Sequence, residues 1–181
     1  MFSFLKNKPF LKRAASLTFV LFLSVGLMFV SCSADESDSG NLDGTWSYIN
    51  AGNPQYNYDI IINTSAKTIL YTGSPTYEGI IANAPNGYTA SSGVLIIQFT
   101  KYAGYGEGAP SATHANVGKF GALYWTDLTA TSIKAADAYN QTTYTHVMFP
   151  TVAEANAAFT PAADKVGTYV GWSGIAPLVK K

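Results

Sequence analysis

Arginine is almost missing from this sequence, and its scarcity removes one class of partner. The single arginine, Arg13, lies near the amino terminus. Beyond Cys32 the chain carries seven lysines against eleven acidic residues, which gives a net charge of −4 with histidine neutral. A nucleic-acid-binding protein needs a basic face that releases counterions from the phosphates. We therefore expect no nucleic acid among the partners.

Cysteine and histidine are also scarce, and recognisable catalytic motifs are missing. Cys32 is the one cysteine, so no internal disulfide can form. The two histidines, His114 and His146, are too few for a zinc site, which takes three or four protein ligands. Beyond Cys32 no G-x-S-x-G or S-x-x-K pattern occurs, and the glycine-rich residues 104–108 lack the lysine of a phosphate-binding loop. The sequence predicts no metal, no cofactor and no catalytic residues, hence a protein that is not an enzyme.

The first 31 residues have the order of a secretory signal peptide. A basic start precedes an apolar run that ends at Cys32. The basic residues are Lys6, Lys8, Lys12 and Arg13. The apolar run approaches the length of a membrane-spanning helix, so two alternatives stay open. One is an uncleaved anchor, and the other is a plain signal peptide with an incidental cysteine.

Residues 29–32, Phe-Val-Ser-Cys, resemble the lipobox of bacterial lipoproteins, although that family most often has Leu in place of Phe29. The resemblance implies cleavage after Ser31 and acylation of Cys32, and two or three acyl chains anchor a protein stably. Residues 32–41 are acidic and rich in serine, which predicts a flexible tether. We expect an exported protein that is lipid-anchored to the bacterial cell envelope, in the inner or the outer membrane.

Residues 42–181 have the length of one domain and alternate mostly with the period of β-strands. The alternation predicts strands over residues 44–49, 55–63, 67–72, 76–82, 93–102, 117–127, 131–139 and 143–149, with a short last strand or extended tail over 168–172. A Thr-x-x-Glu capping box at Thr151 and Glu154 predicts one short helix that docks through Val152, Ala155 and Phe159.

About eight antiparallel strands with short connections favour an all-β closed barrel, since closure removes exposed sheet edges. A β-sandwich would give similar spacing and is the alternative. Tyrosine is abundant, with all 12 copies beyond Cys32. This abundance suits strand surfaces and a β-rich core, and an aromatic ligand cavity or a carbohydrate-stacking face is the more specific interpretation.

Gly44-Thr45-Trp46 resembles the G-x-W motif that opens the first strand of lipocalin-like barrels, and Thr126-Asp127 weakly resembles a second lipocalin motif. More broadly, the chain looks like bacterial lipoproteins that carry one lipocalin-like domain. The resemblance implies that Trp46 closes one end of the barrel and that the other end is a cup for a small molecule. Lipocalins pack an arginine against this tryptophan, and here only a lysine could supply the charge.

Asp137 shares a strand face with Ile133, Ala135 and Tyr139. If that face points inward, the Asp137 carboxyl enters a low-dielectric cavity and its pKa rises unless the group is paired. The alternative places Asp137 near the open end of the strand, exposed or bonded to a tyrosine hydroxyl. Together with Glu78, it could form the carboxylate pair of a glycosidase, but no motif supports a hydrolase.

The sequence thus leads to a membrane-tethered, non-catalytic lipoprotein that binds a small apolar or amphipathic ligand in a barrel cup. The residues predicted to line that cup are Tyr58, Tyr124, Trp125 and Asp137. The alternative is a structural or surface-interaction lipoprotein, with a barrel filled by its own tyrosines and loops that meet an unspecified protein partner. A void above Trp46 would favour ligand binding, and a solid core would favour interaction.

Overall fold

The computed structural model describes residues 40–140, 142–143, 145–161, 169–170 and 175–181. All of them lie within one unit of the chain, Asp38–Lys181. The predicted signal peptide, the predicted acylation site Cys32 and most of the predicted tether lie outside the described residues.

Eight strands form a closed antiparallel barrel. They are β1 (Gly44–Tyr48), β2 (Tyr58–Asn63), β3 (Thr68–Tyr71), β4 (Thr76–Asn83), β5 (Gly93–Ala103), β6 (Phe120–Thr126), β7 (Ser132–Asp137) and β8 (Leu178–Lys180). Each strand pairs with the next in the chain, and β8 returns to pair with β1. The predicted fold class, a lipocalin-like all-β barrel with one short helix, is confirmed for the described residues.

Alternate residues of each strand point into the barrel and form its core. On β2, for example, Ile60 and Ile62 are buried while Ile61 is 38% exposed. The strand β5 departs from this alternation, because its burial extends to both faces from Gly93 to Ile97. Its inner face joins the barrel core, and its outer face joins a second apolar cluster beneath the helix.

That helix, α1 (Val152–Ala158), lies against the outer face of β5 and β6. Its amino-terminal cap forms as the capping box predicts, since the Glu154 amide donates to Thr151 Oγ1 at 3.3 Å. Ala155 and Phe159 are fully buried against the sheet. Val152 was expected to dock as well, but it is 38% exposed at the first helical position, next to exposed Pro150. Docking therefore rests on Ala155 and Phe159.

The predicted eighth strand over residues 143–149 is wrong. In this stretch the described residues make isolated bridges, from His146 to Tyr139 and from Phe149 to Phe120. The barrel is closed instead by Leu178–Lys180, a segment too short for its alternation to stand out in the sequence. Leu178 points inward and is fully buried. Of the predicted strand over 168–172, only residues 169 and 170 are described, and they lie outside any strand.

One end of the barrel is closed around Trp46. This side chain is fully buried, and its Nε1 donates to the Leu42 carbonyl at 2.8 Å. The Lys180 ammonium lies 5.0 Å from the centroid of the Trp46 ring, a distance within the range of a cation–π contact. Lys180 thus places a positive charge over the ring of Trp46. Gly44 has φ = 119°, a backbone conformation in which any residue with a side chain would be strained. A Cβ atom at this position would also lie only 3.0 Å from Lys180 Cε.

Candidate functional site

The opposite end of the barrel is lined by a ladder of tyrosines. Its four members come from four consecutive strands, and neighbouring ring centroids are 5.2 Å apart along the whole series: Tyr48, Tyr58, Tyr71 and Tyr77. The strand register explains the ladder, because Tyr48 lies opposite Tyr58 and Tyr71 lies opposite Tyr77. Such cross-strand aromatic pairs stabilise a sheet. The series continues edge-to-face from Tyr77 to Phe99, at 5.0 Å.

A cavity of about 560 Å³ opens at this end of the barrel, and we call it the cup. Its size falls within the range of roughly 300–1,000 Å³ that is usual for small-molecule sites. Tyrosines and small apolar residues line it, together with a few polar groups. The described lining residues are Tyr48, Tyr58, Tyr71, Ser74, Pro75, Tyr105, Ala135, Ala136, Asp137, Tyr139, His146, Ile175 and Ala176.

Asp137 is the one carboxylic acid among the described residues that line the cup. It ends β7 on the inward face and is 9% exposed. The Tyr77 hydroxyl donates to Asp137 Oδ1 at 2.6 Å. Burial raises the pKa of Asp137 above its ordinary value, because desolvation disfavours the charged form, while His146 and the bond from Tyr77 act in the opposite direction. Asp137 thus points inward and accepts a bond from a tyrosine hydroxyl, two features that belonged to alternative interpretations of the sequence.

Three tyrosines of the ladder, Tyr58, Tyr71 and Tyr77, stay protonated over the physiological pH range. Burial, followed by the nearby charge of Asp137, raises the pKa of Tyr58 to about 12. The same two causes raise the pKa values of Tyr71 and Tyr77 well above their ordinary value. A neutral hydroxyl both donates and accepts hydrogen bonds. The cup wall therefore offers neutral hydroxyls around one acidic group.

Glu78 does not join Asp137 in the cup. Its carboxylate pairs with Lys101 Nζ at 2.9 Å, and both side chains are substantially exposed. Glu78 alternates with inward-facing Tyr77 and Gly79, so it lies on the outer face of β4. The carboxylate pair considered for glycosidase chemistry is consequently not assembled.

Of the four residues predicted to line the cup, Tyr58 and Asp137 do so and the other two do not. Tyr124 lies on the outer face of β6, where its ring contacts Phe159 at a centroid distance of 6.5 Å and its hydroxyl donates to the Thr160 carbonyl. Trp125 points inward, but it lies toward the closed end and donates from Nε1 to the Ala90 carbonyl at 3.0 Å. Adjacent residues of a strand point to opposite faces, so Tyr124 and Trp125 could not both have lined one cavity.

Sequence reasoning missed Tyr48, Tyr71, Tyr139 and His146 as lining residues. Tyr48 and Tyr71 end β1 and β3, and their strand phase was available in the sequence. What was not available was the pairing register, which places both of them at the open end beside Tyr58. Tyr139 and His146 are brought together by an isolated bridge that no sequence pattern predicts.

The loop between β5 and β6 reaches the rim of the cup. In this loop, His114 Nε2 lies 3.1 Å from Glu107 Oε2, and the His114 ring contacts Tyr102 at a centroid distance of 4.8 Å. Tyr105, at the tip of this loop, lines the cup and is 83% exposed. Within the described ranges, no three His, Cys, Asp or Glu residues are placed to hold a metal ion.

No family model, no curated protein and no solved structure gives a significant match to this chain. The lipocalin-like assignment thus depends on the barrel topology, the tryptophan at its closed end and the cup at its open end. In the part of the chain that the structure describes, no helix has both the length and the apolar character that crossing a membrane requires.

Proposed function

We propose that this protein is a non-catalytic, lipid-anchored envelope protein that binds a small apolar or amphipathic molecule in the cup. The observation that carries the proposal is the 560 Å³ cavity at the open end of a closed eight-stranded barrel. A barrel of eight strands has room either for a filled core or for one small ligand. The aromatic wall supplies apolar contact area, and the few polar groups would orient the ligand.

The alternative, a filled barrel that acts through its loops, is less well supported. Trp46 and Trp125 fill the closed half, but above them the barrel holds a cavity instead of a solid core. A void of this kind above Trp46 is the feature that distinguishes a carrier from a purely structural barrel. The cup therefore favours ligand binding over the interaction-only function.

The anchoring part of the proposal follows from the leader sequence. Cys32 directly follows a small residue at the end of an apolar run, as in bacterial lipoproteins. In the native host, Cys32→Ser should abolish incorporation of labelled palmitate and release the protein from the membrane fraction or leave its leader uncut. A Cys32→Ser protein that stays in the membrane and is processed normally would contradict acylation at this residue.

Ligand binding is tested by native mass spectrometry of the protein purified gently from its own host. We expect a bound small molecule of defined mass. Ala176→Trp places a large ring at the exposed mouth of the cup and should reduce the bound fraction at least several-fold. Ala66→Trp adds the same ring at an exposed turn between β2 and β3 and serves as the control. A wild-type protein that carries no ligand, or equal occupancy in the two variants, would contradict a ligand in the cup.

A further inference from the structure

The described lining of the cup contains a buried acid, Asp137, and no lysine. Most described lysines are engaged elsewhere: Lys101 with Glu78, Lys134 with Asp127, Lys181 with Asp59, Lys119 with Asn116 and Lys180 with Trp46. Among the described residues that line the cup, His146 is the only one with a basic side chain. A buried carboxylate is costly unless it is paired and hydrogen-bonded. Among the described residues, Asp137 has a hydrogen bond from Tyr77 and the charge of His146 near it.

The oxygens of Asp137 can accept hydrogen bonds from a cation. The Tyr77 hydroxyl donates to Asp137 Oδ1, so one acceptor position of the carboxylate is occupied. The two carboxylate oxygens have further acceptor positions, because an ionised carboxylate offers about four. An ammonium group carries up to three N–H donors and no acceptor, so it is complementary to this group of oxygens.

The wall of the cup suits the remainder of such a ligand. Tyr58 and Tyr71 offer aromatic surface on one side, while Ala135 and Ile175 offer apolar surface. Tyrosine rings also attract a cation that approaches within about 6 Å of the ring face. An anionic ligand would meet the opposite situation, because like charges repel strongly where water is excluded.

Building on the proposed ligand-binding function, we infer that the cup is selective for a small primary or secondary amine with an apolar or aromatic body. The ammonium lies against Asp137, and the body packs between Tyr58, Tyr71 and Ala135. The charge of Asp137 excludes carboxylate ligands such as fatty acids.

Three probes with one aromatic body and different charge test this inference: 2-phenylethylamine, 2-phenylethanol and 3-phenylpropanoate. Binding is measured by isothermal titration calorimetry to the full-length protein in nanodiscs, with empty nanodiscs as the blank. We expect the amine to bind about tenfold or more tightly than the alcohol, since hydrogen bonds to charged groups exceed neutral ones. The propanoate should bind more weakly than the alcohol.

Asp137→Asn keeps the shape of the side chain and removes its charge. It should weaken amine binding about tenfold or more and change alcohol binding by less than about threefold. Asp127→Asn, at an exposed carboxylate that pairs with Lys134, is the matched control and should change neither.

The outcomes separate this inference from the proposed function beneath it. Equal binding of all three probes, or an unchanged amine affinity in Asp137→Asn, would overturn amine selectivity while leaving a ligand-binding cup. Preference for the alcohol would indicate a protonated Asp137 and a hydroxylated neutral ligand, and would likewise overturn it. Failure of all three probes would count against the amine inference, and the native mass spectrum would then decide whether the cup binds any ligand.

Discussion

The Tyr77 hydroxyl and the Asp137 carboxylate are joined across the barrel interior by a hydrogen bond of 2.6 Å. The two residues belong to β4 and β7, which are not neighbours in the sheet. Tyr77 is 1% exposed and Asp137 is 9% exposed, so water contributes little to either group. This bond links two non-adjacent strands of the barrel next to the cup and holds one carboxylate oxygen of Asp137 in place.

Tyr77→Phe tests what this bond contributes to stability. The change removes only the hydroxyl, and it leaves the buried Asp137 without its described donor. We expect the free energy of unfolding to fall by about 1–3 kcal/mol, the usual cost of an unsatisfied buried polar group. Tyr56→Phe removes a hydroxyl from a side chain that is 58% exposed and should cost less than about 0.5 kcal/mol. Urea unfolding that gives equal losses for the two variants would contradict a structural role for the bond.

Asp137 should make the protein less stable as pH rises. Its folded-state pKa is raised above the ordinary 3.8, so between those two values the folded state binds more protons than the unfolded state. The free energy of unfolding therefore falls as pH increases through that window, and the loss is complete above the folded-state pKa. Asp137→Asn should remove this loss, so its stability relative to wild type should improve with rising pH.

Asp59 serves as a control, because its effect on the free energy of unfolding should change with pH in the opposite direction. Hydrogen bonds from Ser47 Oγ, at 2.6 Å, and from Lys181 lower its pKa below 3.8. The ionised Asp59 carboxylate therefore adds to the free energy of unfolding above pH 3.8, and this contribution is lost as pH falls through the folded-state pKa. Thermal unfolding between pH 3 and 8 should thus give opposite pH trends for Asp137→Asn and Asp59→Asn relative to wild type. Trends of the same sign would refute the assignment of a raised pKa to Asp137.

The barrel could be predicted from the sequence because its long strands alternate in hydrophobicity. Inward positions such as Ile60, Ile62 and Asp137 follow directly from a period of two. The closing strand β8 could not be predicted, since it has three residues and its pairing depends on contacts with β1 and β7, which are distant in the chain.

The cup was only half predictable for a related reason. Phase places a side chain inside the barrel, but register decides at which end of the barrel it lies. Trp125 points into the barrel but lies toward the closed end. Tyr71 points inward and lies at the open end, yet it was not predicted to line the cup. Tyr124 was assigned to the cup although it adjoins Trp125, and strand alternation alone rules out that pair. The charge environment of Asp137 also depends on register and on loop residues such as His146.

Lys180 should stabilise the closed end through its charge above Trp46. Its ammonium lies 5.0 Å from the ring centroid and also donates to the Asn41 carbonyl at 3.3 Å. Lys180→Met keeps an unbranched apolar stem, and we expect a loss of about 0.5–1 kcal/mol in urea unfolding, the size of a partly exposed cation–π contact. Lys180→Arg should retain the contact, because a guanidinium also stacks on aromatic rings. An arginine variant as unstable as the methionine variant would indicate that the cation contributes nothing.

Phe159 should be the main attachment of the helix to the barrel. Its side chain is fully buried, and its ring makes edge-to-face contacts with Phe149 and Tyr169, both at 5.3 Å. Phe159→Ala removes this ring from the cluster on the outer face of β5 and β6, and we expect a loss of about 3–5 kcal/mol in the free energy of unfolding. Val152→Ala, at the exposed start of the same helix, should cost less than about 1 kcal/mol. Comparable losses would show that the helix is held at its first turn, so the fully buried Phe159 ring would not be its anchor.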